Sequence, residues 1–131
     1  MKDILIGHDL ANLAKEKGFN ERVIHYYTPE GRCTESEGYM TERLVESDWN
    51  NGEGNYPTLP EDVSCSAPTQ SLLQKWLREK HNLIVIPNYG DLSNKFSYDI
   101  VYKNDYRNGD FLYKTYEEAL EIGLLEALKL I

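Results

Sequence analysis

The stretch Lys114-Thr115-Tyr116-Glu117-Glu118-Ala119-Leu120 constrains this chain more than any other, because it marks where a helix must begin. Thr115 and Glu118 have the T-x-x-E spacing of a capping box, in which each side chain satisfies a backbone donor of the first turn. Behind it, Leu120, Leu124, Ala127, Leu128 and Ile131 recur on one helical face, with Glu117, Glu121 and the stem of Lys129 on the polar side. A helix with one apolar stripe needs a surface to cover, and the preceding residues supply it. Phe96, Tyr98, Ile100 and Tyr102 alternate with Ser97, Asp99, Val101 and Lys103, the period of an antiparallel strand. Leu83-Ile84-Val85-Ile86 is a continuous apolar run, which suits a strand buried on both faces or at the centre of a sheet. Residues 88–94 read as a polar turn region. Arg107-Asn108-Gly109-Asp110 reads as a hairpin turn, with Phe111-Leu112-Tyr113 as the last strand.

Ahead of these, Pro68 stands where a first helical residue needs no N–H. Leu72, Leu73, Trp76 and Leu77 form the stripe of a helix over 68–81, closed by His81 and Asn82. From residue 67 onward the order is helix, strand, strand, strand, helix. The first half is plainer. A helix over 8–17 carries Leu10, Leu13, Ala14 and Lys17 on one face, with Gly7 as its N-cap. Gly18 takes the left-handed position after it, and Phe19 folds back on the last turn. Val23-Ile24-His25-Tyr26-Tyr27 is a strand, Thr28-Pro29-Glu30-Gly31 a turn, and residues 32–35 a return strand. Residues 36–64 read as a long acidic loop around Asn50-Asn51-Gly52-Glu53-Gly54-Asn55, with Tyr39, Met40, Leu44 and Val45 as a short strand or helical turn inside it. The expectation is a single α+β domain over 1–131, an antiparallel sheet covered on one face by helices near 8–17, 68–81 and 115–130.

Charge narrows the partners. The chain has 14 basic and 22 acidic side chains, net −8. Residues 1–66 hold 6 basic and 13 acidic groups, net −7, against 8 and 9, net −1, in residues 67–131. Such a surface repels phosphate backbones and anionic lipid, so neither nucleic acid nor membrane is expected as a partner. The element order from residue 67 is that of a double-stranded RNA-binding domain, but Tyr116, Glu117 and Glu118 stand where such domains place lysines at the last helix. Ile4-Leu5-Ile6 is too short for a secretory signal, and no stretch approaches the ~20 apolar residues of a span. Cys33 and Cys65 lack CxxC spacing and read as reduced thiols, so a cytoplasmic location is expected.

Candidate chemistry is sparse. His8, Asp9, His25, Cys33, Cys65 and His81 lack the paired spacing of a structural metal site, and no metal or cofactor is expected. Cys65 precedes the 68–81 helix, whose dipole could lower a thiol pKa, and this is the basis of an alternative reading, a small enzyme with a Cys or His centred site beside the long loop. Glu117 and Glu118 are explained by the helix start. Glu61 and Asp62 read as solvated charge. The acids of residues 35–62 suggest a weaker idea still, an acidic surface that mimics nucleic acid.

Three strings taken together carry a resemblance. They are Leu13-Ala14-Lys15-Glu16-Lys17-Gly18-Phe19-Asn20-Glu21 followed by Tyr26-Tyr27; Ser66-Ala67-Pro68-Thr69 followed by Gln74-Lys75-Trp76-Leu77-Arg78-Glu79-Lys80-His81; and Thr115-Tyr116-Glu117-Glu118-Ala119-Leu120. As a set they resemble a family of small proteins, with no assigned activity, of prophages and mobile elements in anaerobic gut bacteria. The likeness covers most of the chain outside residues 36–64. It implies a phage or mobile-element origin and brings no catalytic residue with it. The expected function is that of a non-enzymatic accessory protein that binds another protein, with Tyr98, Tyr102, Tyr106 and Tyr113 as interaction residues, since tyrosine buries a large area with few rotatable bonds.

Overall fold

The computed structural model describes residues 3–35, 46–51, 53–54 and 63–131. Among them are three helices and eight short strands, all strand pairs antiparallel, so the α+β class is as expected. The strands form three small sheets rather than one. Backbone contacts divide the chain into two units, residues 5–68 and residues 1–4 with 69–131.

In the first unit α1 (His8–Glu16) starts at Gly7 and buries Leu10, Ala11 and Ala14. Its end is a Schellman motif. Gly18 sits at φ 92°, its N–H donates to Lys15 O, and the Phe19 N–H donates to Ala14 O. The second bond folds Phe19 under the helix, where it is buried. β1 (His25–Tyr27) pairs with β2 (Cys33–Glu35) across the 28–31 turn, in which Gly31 takes φ 86°. Thr28 holds this turn through its N–H to Arg32 O, and its hydroxyl accepts from Arg32 N.

The segment expected to be a long loop supplies the anchor of this unit. Residues 36–45, 52 and 55–62, including Tyr39, Met40, Leu44, Val45, Glu61 and Asp62, lie outside the described residues. The others form β3 (Ser47–Asp48) and β4 (Glu53–Gly54), and β5 (Cys65–Ser66) pairs with the free edge of β1. The Asp48 carboxylate accepts from the N–H groups of Asn50 and Asn51 and from the Asn51 side chain, which shapes the turn. Trp49 follows, only 1% exposed, with its Nε1–H donating to Val23 O at 2.9 Å and its ring 5.0 Å from that of Tyr26. Asn50 ties three segments, donating to Phe19 O and accepting from Ser66 N.

In the second unit α2 (Gln70–His81) is capped by Thr69, whose hydroxyl accepts from Leu72 N. Pro68 therefore precedes the cap and is not the first helical residue, because the threonine oxygen satisfies a donor that proline could only remove. Leu73, Trp76 and Leu77 are buried as expected, and Asn82 closes the helix at φ 51°. β6 (Ile84–Gly90), β7 (Lys95–Tyr102) and β8 (Asp105–Asn108) form a sheet in that order. Four expectations change here. β6 is an edge strand with only Val85 fully buried, and it runs through 88–90, which had read as a turn. Residues 107–108 belong to β8, and the hairpin turns instead at Lys103 and Asn104, both left-handed at φ 52° and 63°. That two-residue turn matches the twist of the flanking strands. Of the expected strand 111–113, Tyr113 alone pairs, bridging Phe96.

α3 (Tyr116–Leu128) has the cap its sequence announces. Thr115 Oγ1 accepts from Glu118 N at 3.1 Å, while the Glu118 carboxylate accepts from Lys114 N, one residue before the cap. Its buried stripe is Ala119, Leu120, Gly123, Leu124, Ala127 and Leu128. Gly123 meets the sheet backbone to side chain. A Cβ there would lie 2.8 Å from Val85 Cγ1 and 3.0 Å from Tyr98 Cβ. Alanine normally stabilises a helix interior over glycine by up to ~1 kcal/mol. Here Gly123→Ala is expected to destabilise by about 1–3 kcal/mol in urea unfolding, since the added methyl must displace Val85 or shift the helix.

Candidate functional site

Backbone pairing fixes which side chains share a face of the β6–β7–β8 sheet. Val85, Pro87 and Tyr89 stand opposite Ile100, Tyr98 and Phe96 on one face, where α3 lies with Gly123 against Val85 and Tyr98, while Tyr89 at the strand end stays exposed. The opposite face carries Ile84, Ile86, Asn88, Ser97, Asp99, Val101 and Tyr106. Ile86 is 47% exposed and Tyr106 59%. Phe111, 44% exposed, borders Gly90 at the end of this face, where a Cβ on Gly90 would lie 2.9 Å from its ring. The next residue, Leu112, is 63% exposed.

At the centre of this face lies a carboxylate. Asp99 is 8% exposed, and its Oδ2 accepts from the Asn88 amide and, at 2.6 Å, from the Tyr106 hydroxyl. A buried charge without partners would be costly, and these donors hold it in place. The same bond to Asp99 keeps the Tyr106 phenol above its ordinary pKa, because ionising it would remove the donor and set two negative charges together. The arrangement is an apolar rim around a fixed acceptor. It can hold an apolar surface.

The four expected interaction tyrosines are divided between the faces. Tyr98 and Tyr102 belong to the α3 side, half-buried, and Tyr113 lies there too, its ring 6.3 Å from Tyr98. Burial, with Glu126, Tyr113 and Asp110 adding, raises the Tyr98 phenol pKa. Lys103 sits over the Tyr102 ring at 5.1 Å. Tyr106 alone of the four lies on the open face. Ile86 and Phe111 were not anticipated there. Pro87 was the legible clue to an edge strand, since proline cannot donate to a ladder.

Two cavities accompany this unit. One, of about 220 Å³, lies between the starts of α2 and α3 and is lined by Asp3, Ile4, Gln70, Ser71, Gln74, Tyr116, Glu117 and Leu120. The Asp3 carboxylate accepts from the Ser71 hydroxyl, and the buried Gln70 donates to Glu117 O and Glu121 Oε1. The other, of about 250 Å³, lies on the α3 side beside Tyr98, Arg107, Glu126 and Lys129. Histidine and cysteine line neither.

The remaining candidates lie in the first unit or in α2. The Cys65 thiol is fully buried, and burial raises its pKa despite a hydrogen bond from Ser64 and the nearby Lys15 charge. The helix dipole that could have lowered this pKa does not prevail; desolvation of the thiolate outweighs the Ser64 bond and the Lys15 charge. His8 packs on Tyr27 at 5.0 Å, and its Nε2 is buried without a hydrogen-bond partner among the described residues. His81 packs on Trp76. No group of three His, Cys, Asp or Glu side chains close enough to hold a metal occurs among the described residues. No helix among them is long and apolar enough to cross a membrane.

The chain matches no protein-family model, no curated protein and no solved structure.

The thiols give a direct check. Cys33 is exposed. Ellman's reagent should therefore label one thiol per chain promptly in native buffer, and Cys65 only after denaturation. Prompt reaction of both thiols would contradict the burial of Cys65.

Proposed function

We propose that this protein is a non-enzymatic accessory protein that acts in the cytoplasm by binding another protein on the open face of the β6–β7–β8 sheet. The observation that carries the reading is the pairing of exposed Ile86 and Tyr106 with a buried, pre-oriented Asp99 between them. Contiguous exposed apolar surface around a fixed polar group is the make-up of a binding patch, with the apolar atoms supplying affinity and the polar group register. A prophage or mobile-element setting, implied by the resemblance in sequence, fits a small protein that works on a partner. The interaction tyrosine best placed for this role is Tyr106.

Ile86→Asp and Phe111→Ser should each abolish capture of the partner by the immobilised protein while leaving the melting temperature within a few degrees. Ile4→Asp serves as the control, since Ile4 is 41% exposed and lies outside this face. A partner whose capture survives both face variants, or is lost equally with Ile4→Asp, would overturn the assignment.

The same reading excludes duplex nucleic acid as the partner. Glu117 and Glu118 occupy the first turn of α3, where an RNA-binding domain of this element order would meet phosphate. Binding to duplex RNA or DNA should be undetectable at physiological salt in a gel shift. A micromolar complex that weakens as salt rises would show that phosphate contacts form after all.

A further inference from the structure

The two edges of the β6–β7–β8 sheet are finished differently, and the difference identifies a second interaction surface. Tyr98 O accepts from Gly109 N, and Phe96 and Tyr113 exchange both backbone bonds. Even-numbered residues of β7 therefore direct their backbone groups towards β8, and odd-numbered ones towards β6. Through the register, Val85, Pro87 and Tyr89 must direct theirs away from the sheet along the β6 edge. That edge is obstructed at Val85 and Pro87. Val85 O accepts from Gln74 Nε2 at 2.6 Å, and Pro87 has no N–H to offer.

Among the described residues the β8 edge has neither device. Asp105 and Arg107 stand opposite Tyr102 and Ile100 and turn inward, so Tyr106 and Asn108 direct their N–H and C=O groups outward. All four residues of β8 are exposed. An added strand must bring its own outward-facing residues opposite Tyr106 and Asn108.

Charge selects the strand. A second copy of β8, antiparallel about a two-fold axis, can oppose outward-facing residues with the axis at Arg107, which pairs Tyr106 with Asn108 twice, or at Tyr106, which pairs Tyr106 with its copy and sets Asn108 beside the turn residue Asn104. With the axis at Arg107 two guanidinium groups are directly opposed, which is unfavourable. With the axis at Tyr106, Tyr106 meets its own copy, and Asp105 lies opposite Arg107 of the other copy twice. Asp105 and Arg107 already share a face and pair within one chain at 3.2 Å. The dimer exchanges the two intrachain pairs, one in each copy, for two between chains. We propose that the protein self-associates through β8 in this register, joining two three-stranded sheets into one of six. The proposal concerns the edge and stands apart from what binds the open face.

Sedimentation velocity on the full chain tests it, from about 10 μM to about 1 mM, the range where short edge contacts act. The wild type should shift from the mass of one chain to that of two. Arg107→Asp or Asp105→Arg should each raise the dissociation constant at least about tenfold by opposing like charges. The combination Asp105→Arg with Arg107→Asp should restore the dimer. A wild type that stays monomeric throughout overturns the proposal. So does a dimer indifferent to both single changes, or a double variant no better than either one.

Discussion

The contact between Gly123 and the pair Val85 and Tyr98 is the constraint from which the second unit follows. With no Cβ at that position, α3 lies close on the sheet, and Val85 and Ile100 are driven almost wholly out of water. One helix thereby claims one face of a three-stranded sheet. The strand period then leaves the alternate residues, Ile86, Asp99, Val101 and Tyr106, on the other face. The open face is thus a consequence of where α3 sits. Asp99, in the central strand, is desolvated by its neighbours, and Asn88 and Tyr106 are the groups that satisfy it.

The same sheet shows how a short α+β unit controls its edges. The side chain of α2 that reaches Val85 O and the proline two residues on both act on β6, next to the helix that precedes it in sequence. β8 follows a two-residue hairpin and is only four residues long, so no helix lies beside it in sequence to cover it. Shortness and charge protect it, and both are compatible with selective pairing.

Much of this was legible in the sequence where a feature is local. Thr115 and Glu118 announced α3, and Gly18 with Phe19 announced the end of α1, because each signal and its partner lie within six residues. The period-two run of β7 was equally clear. What failed was non-local or stereochemically unusual. Trp49 lies in an acidic, Asn-rich stretch, and its role depends on Val23 O and Tyr26, more than twenty residues away in sequence. The turn at Lys103 and Asn104 uses two left-handed residues without glycine, so the glycine at 109 drew attention to the wrong place. β6 looked central because Ile84-Val85-Ile86 is apolar throughout, although one of those isoleucines faces water. The division of the tyrosines between faces required the β7–β8 register, which the misplaced turn had concealed.

The claim on which the rest depends is that α3 covers the Val85 and Tyr98 face and leaves the Ile86 and Tyr106 face open. Solution NMR tests it most directly through nuclear Overhauser effects from the α protons of Gly123. Cross-peaks to the Val85 methyl groups and the Tyr98 β protons, with none from α3 to Ile86, Val101 or Tyr106, are the expected pattern. Cross-peaks from α3 to Ile86 or Tyr106 would put the helix on the other face and contradict the account.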